Sequence, residues 1–506
     1  MINDSDRTEK FNNLLANVSD TLKSRSLFIV SNRGPIEHHI TDDDRIVQRR
    51  GSGGVVTALN PLFRSDFTWV SNAMGEGDRR VARNSDGEPI RSTMPEHEFS
   101  IKYILTSRRV YHKFYNIFCN PLLWFLHHNM WSSPYTPNID NSIYDAWETG
   151  YVPVNRAFAD SIIEECAKSN KPPSVVIHDY HLYMVPGMLR QAIPESIIQQ
   201  FIHIPWPDSS YWQMLPSDIR MNICESLIMT DTVAFQNFRD VRNFLQSCEM
   251  FVPGSQVNYE NCTITLNGHT TEVKHRPMGI SVEEVRNIAE SNRAHEYESK
   301  LKSVLTENTI VRVDRVEPSK NIIRGFRAYR LLLERNPDIL GKVTFLAFMV
   351  PSRTHIRQYQ RYFQEVEELV TEINDSFGNG QWKPILPFYD NNYTQAMAAM
   401  KFYDVLLVNP IMDGMNLVSK EGPIVNGRSG VLVLSETAGS YDQLRNGVLS
   451  VSPADIEGTY RALQQALEMP IGNRKELEEI LIDKISDQDV IDWAHKLFSD
   501  LNVYLD

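Results

Sequence analysis

The sequence contains few cysteines and no cysteine pair. Its five cysteines are scattered, and none belongs to a CxxC motif. The odd number predicts reduced thiols in a cytoplasmic protein rather than a disulfide framework. Residues 1–24 are polar and charged, so we expect no signal peptide. No apolar run approaches the roughly 18 residues that a membrane span needs, so we expect no membrane partner.

The sequence also has no excess of basic residues. Its 51 lysines and arginines stand against 64 acidic residues, which gives a formal net charge of −13. This balance argues against a nucleic-acid partner and against an acidic membrane surface. Phosphate ligands are still compatible with it, because a few local arginines and lysines are enough to hold them. We find no Asp-x-Asp motif near the end of a predicted strand, so we expect no metal.

The length predicts more than one domain, because 506 residues exceed what a single hydrophobic core supports. Short apolar runs alternate with amphipathic helical stretches, which predicts two doubly wound, Rossmann-like α/β domains facing a central cleft. We place an N-terminal arm at residues 1–25, an N-terminal domain at 26–280 and a C-terminal domain at 281–485. A final helix in 486–506 is expected to pack back across both domains.

The most informative stretch runs from Asp404 to Glu421. Its apolar start predicts a buried strand, which Asn409-Pro410 ends, and a helix is expected from Leu417. The loop between them is Asp413-Gly414-Met415-Asn416. A strand, a glycine-bearing loop and a helix N-terminus together form an anion site. This predicts a phosphate at Asn416 and Leu417. The alternative is a plain strand-to-helix turn capped by Asp413.

Basic residues follow several other predicted strands. Arg315 and Lys320 flank a turn, where two cations can clamp a diphosphate; the alternative is a solvated basic loop. Arg33 and Arg353 also follow strands, and so many cations favour two phosphorylated ligands. The alternative for Arg353 is a helix cap or a pair with Glu365.

Glycines, histidines and aromatic residues supply further candidates. Gly53 and Gly54 open a helix and predict a second anion loop, although flexible-loop glycines are commoner. Two strand ends deliver His178-Asp179 and His203 to one sheet edge. With His181 these histidines form either a metal cluster or, as we prefer, core and hydrogen-bonding groups. Tyr115 and Trp124 lie nine positions apart, so one of them is a candidate to line a cleft and the rest of the aromatic stretch is core.

These motifs, in this order, resemble the family-20 glycosyltransferases, the trehalose-6-phosphate synthases, over roughly residues 26–500. The matching segments are Ser31-Asn32-Arg33, Gly53-Gly54, Tyr115-Asn116 with Trp124, His178 to His181, His203 to Pro205, Asp314 to Lys320, Pro351 to Arg353, and Asp413 to Glu421. The resemblance implies a GT-B fold and retaining transfer of glucose from a nucleotide-glucose to glucose 6-phosphate. The donor base is open among UDP-, GDP- and ADP-glucose, and the resemblance implies neither cofactor nor metal.

The resemblance also implies roles for single residues. Arg315 and Lys320 would hold the donor diphosphate, with backbone contacts from Asn416 and Leu417, and Glu421 would bind the ribose. Asp413 and His203 would hold the transferred glucose. The acceptor would be held by Arg33, Tyr115, Trp124, Asp179 and Arg353, with the two arginines near its phosphate. Gly53, Gly54, Gly414 and Met415 complete the donor loops. Catalysis would rest on Arg315, Lys320, Asp179, His203 and Asp413.

The sequence departs from the common family pattern in two places. Glu317 to Asn321 replaces the usual loop after Asp-Arg, and Ile204-Pro205-Trp206-Pro207 replaces the usual Pro-Phe-Pro form. Both resemble the branch that contains validoxylamine 7′-phosphate synthase. The alternatives are therefore a glucosylglycerol-phosphate or pseudodisaccharide-phosphate synthase, or an inactive sugar-phosphate-binding regulatory homologue. A homo-oligomer is also left open.

Overall fold

Parallel strands alternate with helices along most of the chain in the computed structural model, which describes residues 4–51, 54–95 and 97–505. The chain divides into two units. One is Gly279–Asp489, and the other comprises the described residues up to Met278 together with those from Val490 onward. Each unit is built around its own α/β sheet, so the predicted α/β fold class is confirmed. The packing of residues 486–506 across both domains stays a prediction.

Ten strands form the sheet of the first unit, in the order β10-β11-β12-β9-β8-β7-β1-β4-β6-β5, and β2 and β3 form a separate antiparallel hairpin. The strands are β1 Ser26–Val30, β2 Ile36–Ile40, β3 Ile46–Arg50, β4 Thr68–Asn72, β5 Ile90–Arg91, β6 Ser100–Ile104, β7 Pro173–His178, β8 Ile197–Ile202, β9 Thr232–Phe235, β10 Gln256–Asn258, β11 Thr263–Leu266 and β12 His269–His275. The central strands pair in parallel and are buried on both faces, which is why they show as continuous apolar runs.

Six strands, all parallel, form the sheet of the second unit in the order β15-β14-β13-β16-β17-β18. They are β13 Asn308–Val316, β14 Val343–Pro351, β15 Ile385–Phe388, β16 Val405–Val408, β17 Val431–Ser435 and β18 Leu449–Val451. Two hydrophobic clusters, one on each face of this sheet, bury its apolar side chains. The parallel pairing brings the carboxyl ends of these strands, and the loops that follow them, to one edge.

Helices connect the strands. They are α1 Asp4–Ser24, α2 Gly54–Ala58, α3 Glu76–Asn84, α4 Arg108–Tyr111, α5 Phe125–His127, α6 Asn141–Ala146, α7 Val152–Lys168, α8 Val185–Ala192, α9 Ser209–Trp212, α10 Ser217–Leu227, α11 Phe238–Phe251, α12 Val282–Ala289, α13 Asn292–Lys302, α14 Ile322–Arg335, α15 Arg357–Phe377, α16 Tyr393–Met400, α17 Val418–Val425, α18 Tyr441–Leu444, α19 Ile456–Glu468, α20 Ile471–Asp487 and α21 Val490–Asn502. Among the described residues no helix is long and apolar enough to cross a membrane.

Two segments depart from the alternation of buried strands and α-helices. The stretch after Arg33 forms the β2–β3 hairpin, which is held by buried contacts of His38 with Asp78 and Tyr103. The aromatic segment around Tyr115 is π-helical over His112–Trp124. Asn267 and Gly268 form the turn between β11 and β12. Both residues have positive φ, as a two-residue hairpin turn requires.

Candidate active site

The loop after β16 is organised by Asn416. Its backbone has φ of 71°, and its side-chain oxygen accepts the N–H of Ser419 at 3.1 Å, so Asn416 caps α17. Its Nδ2 donates to Asp413 Oδ2 at 3.1 Å. The Asp413 carboxylate also accepts a hydrogen bond from the Gly414 N–H at 3.0 Å and forms an ion pair with Lys320. The alternative in which Asp413 caps the helix is therefore wrong, because Asn416 does so.

Backbone donors at the same loop point to an anion site. In the described part of the chain, the N–H groups of Met415, Asn416 and Leu417 have no hydrogen-bond partner, although this loop lies at the N-terminus of an eight-residue helix. Gly439 packs against this loop and fixes its backbone, because the Gly439 N–H donates to the Asp413 carbonyl at 3.1 Å. The contact is so close that a Cβ at Gly439 would overlap the Gly414 carbonyl oxygen. Backbone N–H groups without a hydrogen-bond partner at a helix N-terminus are suited to binding a phosphate.

Lys320 lies against this loop. Its side chain is 13% exposed, and its ion pair with Asp413 joins residues 93 positions apart. Burial lowers the pKa of Lys320, but the carboxylates of Asp413 and Asp314 outweigh that effect and raise the pKa above its usual value. Lys320 therefore stays positively charged beside the free N–H groups. The alternative of a solvated basic loop does not describe Lys320, which is mostly buried.

A second set of charges gathers at Glu317. Glu317 is fully buried, and its Oε1 lies 3.0 Å from an Nη atom of Arg315 and 3.0 Å from one of Arg353. Ser352 Oγ donates to the same oxygen at 2.8 Å. Burial raises the pKa of Glu317, but the two arginines outweigh it and lower the pKa to about 2. One carboxylate thus pairs with two of the three arginines that the sequence predicts to contact phosphates.

Arg353 has a defined backbone and side-chain position. Its φ is 47°, and its guanidinium donates to the Tyr359 hydroxyl at 2.9 Å as well as to Glu317. Glu365, the acid offered as an alternative partner, pairs instead with Arg361 at 2.9 Å. Strained φ values of this kind collect at ligand sites.

Glu421 lies on α17, one turn beyond Asn416. Its residue is 9% exposed, and its Oε1 accepts the hydroxyl of Tyr393 at 2.9 Å. Burial raises the pKa of Glu421 to about 7, with the tyrosine hydrogen bond acting in the opposite direction. A carboxylate with so raised a pKa, close to an anion loop, is a candidate for ligand binding.

The first unit brings His178 and His203 together at the ends of β7 and β8. His178 Nδ1 lies 3.1 Å from His203 Nε2, and Gln236 Nε2 lies 3.4 Å from His203 Nδ1. Because the Gln236 amide nitrogen donates, His203 carries its proton on Nε2 and donates it to His178. Burial lowers the pKa of His178 to about 3 and that of His203 well below its usual value. Both rings are therefore neutral at physiological pH.

Nothing at this edge forms a metal centre. In the ranges 4–51, 54–95 and 97–505, no three His, Cys, Asp or Glu side chains come together as a metal site. Asp42 to Asp44 form an acidic triplet after β2, a strand that the sequence did not predict. Asp43 pairs with Arg45, and Asp44 pairs with Arg80. Metal independence stays a prediction.

Asp179 follows β7 with φ of 74°. Its N–H donates to the Phe201 carbonyl at 2.7 Å, and its own carbonyl accepts Gln200 Nε2 at 3.0 Å, so both backbone polar groups are satisfied. This conformation is costly for a residue with a Cβ, and its retention at a strand end points to a functional side chain. The Asp179 carboxylate lies 3.9 Å from His181 Nδ1.

The two aromatic candidates occupy different environments. Tyr115 is half-buried and stacks on His181 with ring centroids 5.9 Å apart, next to Asp179. Trp124 is 6% exposed and stacks on His128 at 4.1 Å within the core cluster. Of the pair, Tyr115 has the better geometry for contacting a ligand. Arg33 is exposed after β1, Gly54 begins α2, and Gly53 lies outside the described residues.

Sequence reasoning missed three supporting residues. Glu317, Tyr393 and Gln236 each position a predicted site residue through a contact between distant parts of the chain. Only Glu317 carried a signal, because it lies in a quoted motif that departs from the family pattern. Neither Tyr393 nor Gln236 belongs to a motif.

The chain is similar to several known proteins. An alpha,alpha-trehalose-phosphate synthase [UDP-forming] of Candida albicans is 31% identical over 89% of this chain and 91% of its own length. A validamine 7-phosphate valienyltransferase of Streptomyces hygroscopicus is 30% identical over 82% of this chain and 81% of its own. A solved alpha,alpha-trehalose-phosphate synthase (UDP-forming) from Burkholderia xenovorans, in complex with glucose-6-phosphate, superposes with a TM-score of 0.78 at 26% identity. It covers 94% of this chain and 100% of that one.

Parallel α/β sheets with a phosphate-type loop at one strand edge, together with this structural likeness, define a glycosyltransferase with the GT-B fold. The family model of glycosyltransferase family 20 matches residues 25–503. The chain belongs to that family, as its motifs predicted.

Proposed function

We propose that this protein is a retaining hexosyltransferase that moves glucose from UDP-glucose to glucose 6-phosphate, giving trehalose 6-phosphate and UDP. The observation that carries the proposal is the Lys320–Asp413 ion pair, which is mostly buried and lies beside three backbone N–H groups that have no hydrogen-bond partner among the described residues. The Candida albicans relative is UDP-forming, and the Burkholderia xenovorans structure is a complex with glucose-6-phosphate. These names support UDP as the leaving group and glucose 6-phosphate as the acceptor.

The contacts to the donor are proposed from the negative charge of its diphosphate. When the bond between glucose C1 and the diphosphate breaks, negative charge develops on the departing oxygen. Lys320 and Arg315 would neutralise that charge, and the N–H groups of Asn416 and Leu417 would hold the phosphate oxygens. Donors already in place cost no reorganisation, and each contributes up to ~3–4 kcal/mol to the transition state. Gly414 and Met415 shape the loop, and Glu421 would accept hydrogen bonds from the ribose.

The sugar hydroxyls and the acceptor phosphate would be bound by different groups. Asp413 and His203 would hold the transferred glucose, and Asp179 would orient the acceptor. Arg33 and Arg353 would bind the acceptor phosphate, since a guanidinium presents two parallel donors to one phosphate. Tyr115 and Trp124 complete the acceptor set. We also propose that the protein is cytoplasmic and acts without a metal ion, with homo-oligomerisation left open.

A second candidate function has two observations in its favour. The valienyltransferase relative is nearly as similar as the trehalose-phosphate synthase, and the Glu317 to Asn321 loop departs from the common pattern. That relative's name describes transfer to validamine 7-phosphate. On this alternative the donor is a cyclitol nucleotide and the acceptor is an aminocyclitol phosphate. The phosphate contacts would be the same in both cases.

A substrate screen tests the proposal. Purified protein is incubated with UDP-, GDP- or ADP-glucose, or with a nucleoside diphosphate cyclitol, and a panel of acceptors: glucose 6-phosphate, glycerol phosphate and validamine 7-phosphate. Products are identified by mass spectrometry. We expect a phosphorylated disaccharide from UDP-glucose and glucose 6-phosphate, and none from the Lys320→Ala variant. Turnover confined to another acceptor, or binding without any turnover, contradicts the proposal and selects one of the alternatives.

A further inference from the structure

Tyr393 contacts Glu421 across two helices of the second unit. Its hydroxyl, at the first residue of α16, donates to Glu421 Oε1 on α17 at 2.9 Å. The tyrosine is 43% exposed, whereas Glu421 is 9% exposed. The hydrogen bond therefore ties a buried carboxylate to a side chain that reaches solvent.

The carboxylate of Glu421 is unusual for a buried acid. Within the part of the chain that the structure describes, Glu421 forms no ion pair, whereas buried Glu317 and half-buried Asp413 both do. Burying a carboxylate without a cation disfavours its charged form. An arrangement that lowers stability in this way is characteristic of a ligand site.

Tyr393 is not needed to start its own helix. The Asn392 side chain caps α16 by accepting the N–H of Gln395 at 3.1 Å. The hydroxyl of Tyr393 instead occupies one oxygen of Glu421. Across the described residues, the other oxygen, Oε2, accepts no hydrogen bond from the protein. One oxygen is thus held in place and the other is left for a donor from outside the chain.

We propose that Tyr393 is a positioning residue for nucleotide binding, which orients the Glu421 carboxylate so that its second oxygen accepts the ribose hydroxyls of the donor. The inference rests on the proposed function, because it takes Glu421 as the ribose contact. It adds a residue outside every motif in the sequence. The alternative is that this surface hydrogen bond only joins α16 to α17 and has no role in ligand binding.

Three probes separate these readings. Isothermal titration of the Tyr393→Phe variant uses UDP, 2′,3′-dideoxyuridine diphosphate and inorganic pyrophosphate. We expect UDP to bind about 10-fold more weakly than to the wild type, because one hydrogen bond that orients a charged group is lost. The dideoxy nucleotide and pyrophosphate lack the ribose hydroxyls, so their Kd values should not change. A merely structural contact would alter all three or none.

The other unit offers a matched control. Tyr259 is 45% exposed and donates to Glu249 Oε2 at 2.6 Å, which is the same chemistry away from every predicted site residue. Tyr259→Phe should leave all three Kd values unchanged.

The Glu421→Gln variant distinguishes the two possible failures. If Glu421→Gln weakens UDP binding but Tyr393→Phe does not, the positioning role is overturned and the ribose contact stands. If Glu421→Gln also leaves UDP binding unchanged, the ribose contact of the proposed function is wrong as well. Equal weakening of all three probes by Tyr393→Phe likewise overturns the positioning role.

Discussion

The side chains at the strand edges of the two units differ in charge. In the second unit, side chains stay charged: Lys320 pairs with Asp413, and buried Glu317 pairs with Arg315 and Arg353. In the first unit, His178 and His203 have lowered pKa values and stay neutral. The difference is the surroundings. Opposite charges within about 4 Å maintain ionisation, whereas burial among Phe201 and Trp493 removes it.

This contrast matches the two kinds of ligand group that the proposed reaction brings together. A diphosphate and a phosphate need fixed cations and N–H groups, and the charged edge supplies them. A glucose ring offers only hydroxyls, which neutral imidazoles and amides bind without an uncompensated charge. On this basis the charged edge should dominate turnover, and the neutral edge should be insensitive to pH.

The largest effect is expected from the cations at the leaving group. Lys320→Ala and Arg315→Ala should each lower kcat by about 100-fold or more, because charge on the departing diphosphate loses its counter-ion. Steady-state kinetics at saturating substrate measure this. The control for Lys320 is Lys401→Ala, since Lys401 is also largely buried and pairs with Glu290 and Glu298. Normal turnover in both site variants would remove the charged edge from catalysis.

The next effect concerns the acceptor. Arg353→Ala should raise the KM for glucose 6-phosphate by roughly 30-fold or more, since a charged hydrogen-bond partner is lost. UDP binding should stay nearly the same, and unphosphorylated glucose should remain an equally poor acceptor. Kinetics and separate titrations of the two ligands measure this, with Arg361→Ala as the control. Equal weakening of donor and acceptor, or of neither, is incompatible with an acceptor-phosphate role.

A smaller effect is expected from pH. The pKa of Glu421 is raised to about 7, so its ionised fraction, which accepts two hydrogen bonds from a ribose, falls as pH drops through 7. UDP affinity should therefore decrease by up to about 10-fold between pH 8 and pH 6. Burial lowers the pKa of the neighbouring Lys420 to about 7, so Lys420 becomes positively charged as the pH falls over the same range. This added positive charge should favour UDP binding and oppose the effect of Glu421.

Glu421→Gln separates these contributions. It should abolish the loss of affinity at low pH and leave only the Lys420 effect. The histidines of the neutral edge do not titrate in this range, because the pKa of His178 is about 3. An unchanged pH profile in Glu421→Gln would assign the dependence to another group.

No effect is expected from metal removal. Turnover should be the same with and without excess EDTA, because Lys320, Arg315 and the N–H groups provide the positive charge that a cation would supply. Loss of activity with EDTA, followed by rescue with Mg²⁺ or Mn²⁺, would show that the charged edge is incomplete without a metal ion.

The strands that carry the site were predictable from the sequence. The apolar runs of β7, β8, β9 and β16 are buried on both faces, so local composition identifies them. The residues that follow them were predictable too, since ligands bind at the carboxyl ends of parallel strands. The β2–β3 hairpin was missed, because its buried members depend on Asp78 and Tyr103, which lie far along the chain.

The partners of the site residues were decided only by tertiary structure. By itself, the sequence determined an α/β chain with Lys320, Asp413 and Arg353 in the loops after strands and Glu421 in the helix that follows one of these loops. Nothing in it paired Arg353 with Glu317 rather than Glu365, or made Asn416 instead of Asp413 the helix cap. Lys320 meets Asp413 across 93 positions, and Tyr393 meets Glu421 across 28. Such contacts depend on which strands become neighbours in the sheet, and parallel neighbours are joined by long crossovers that local patterns do not record.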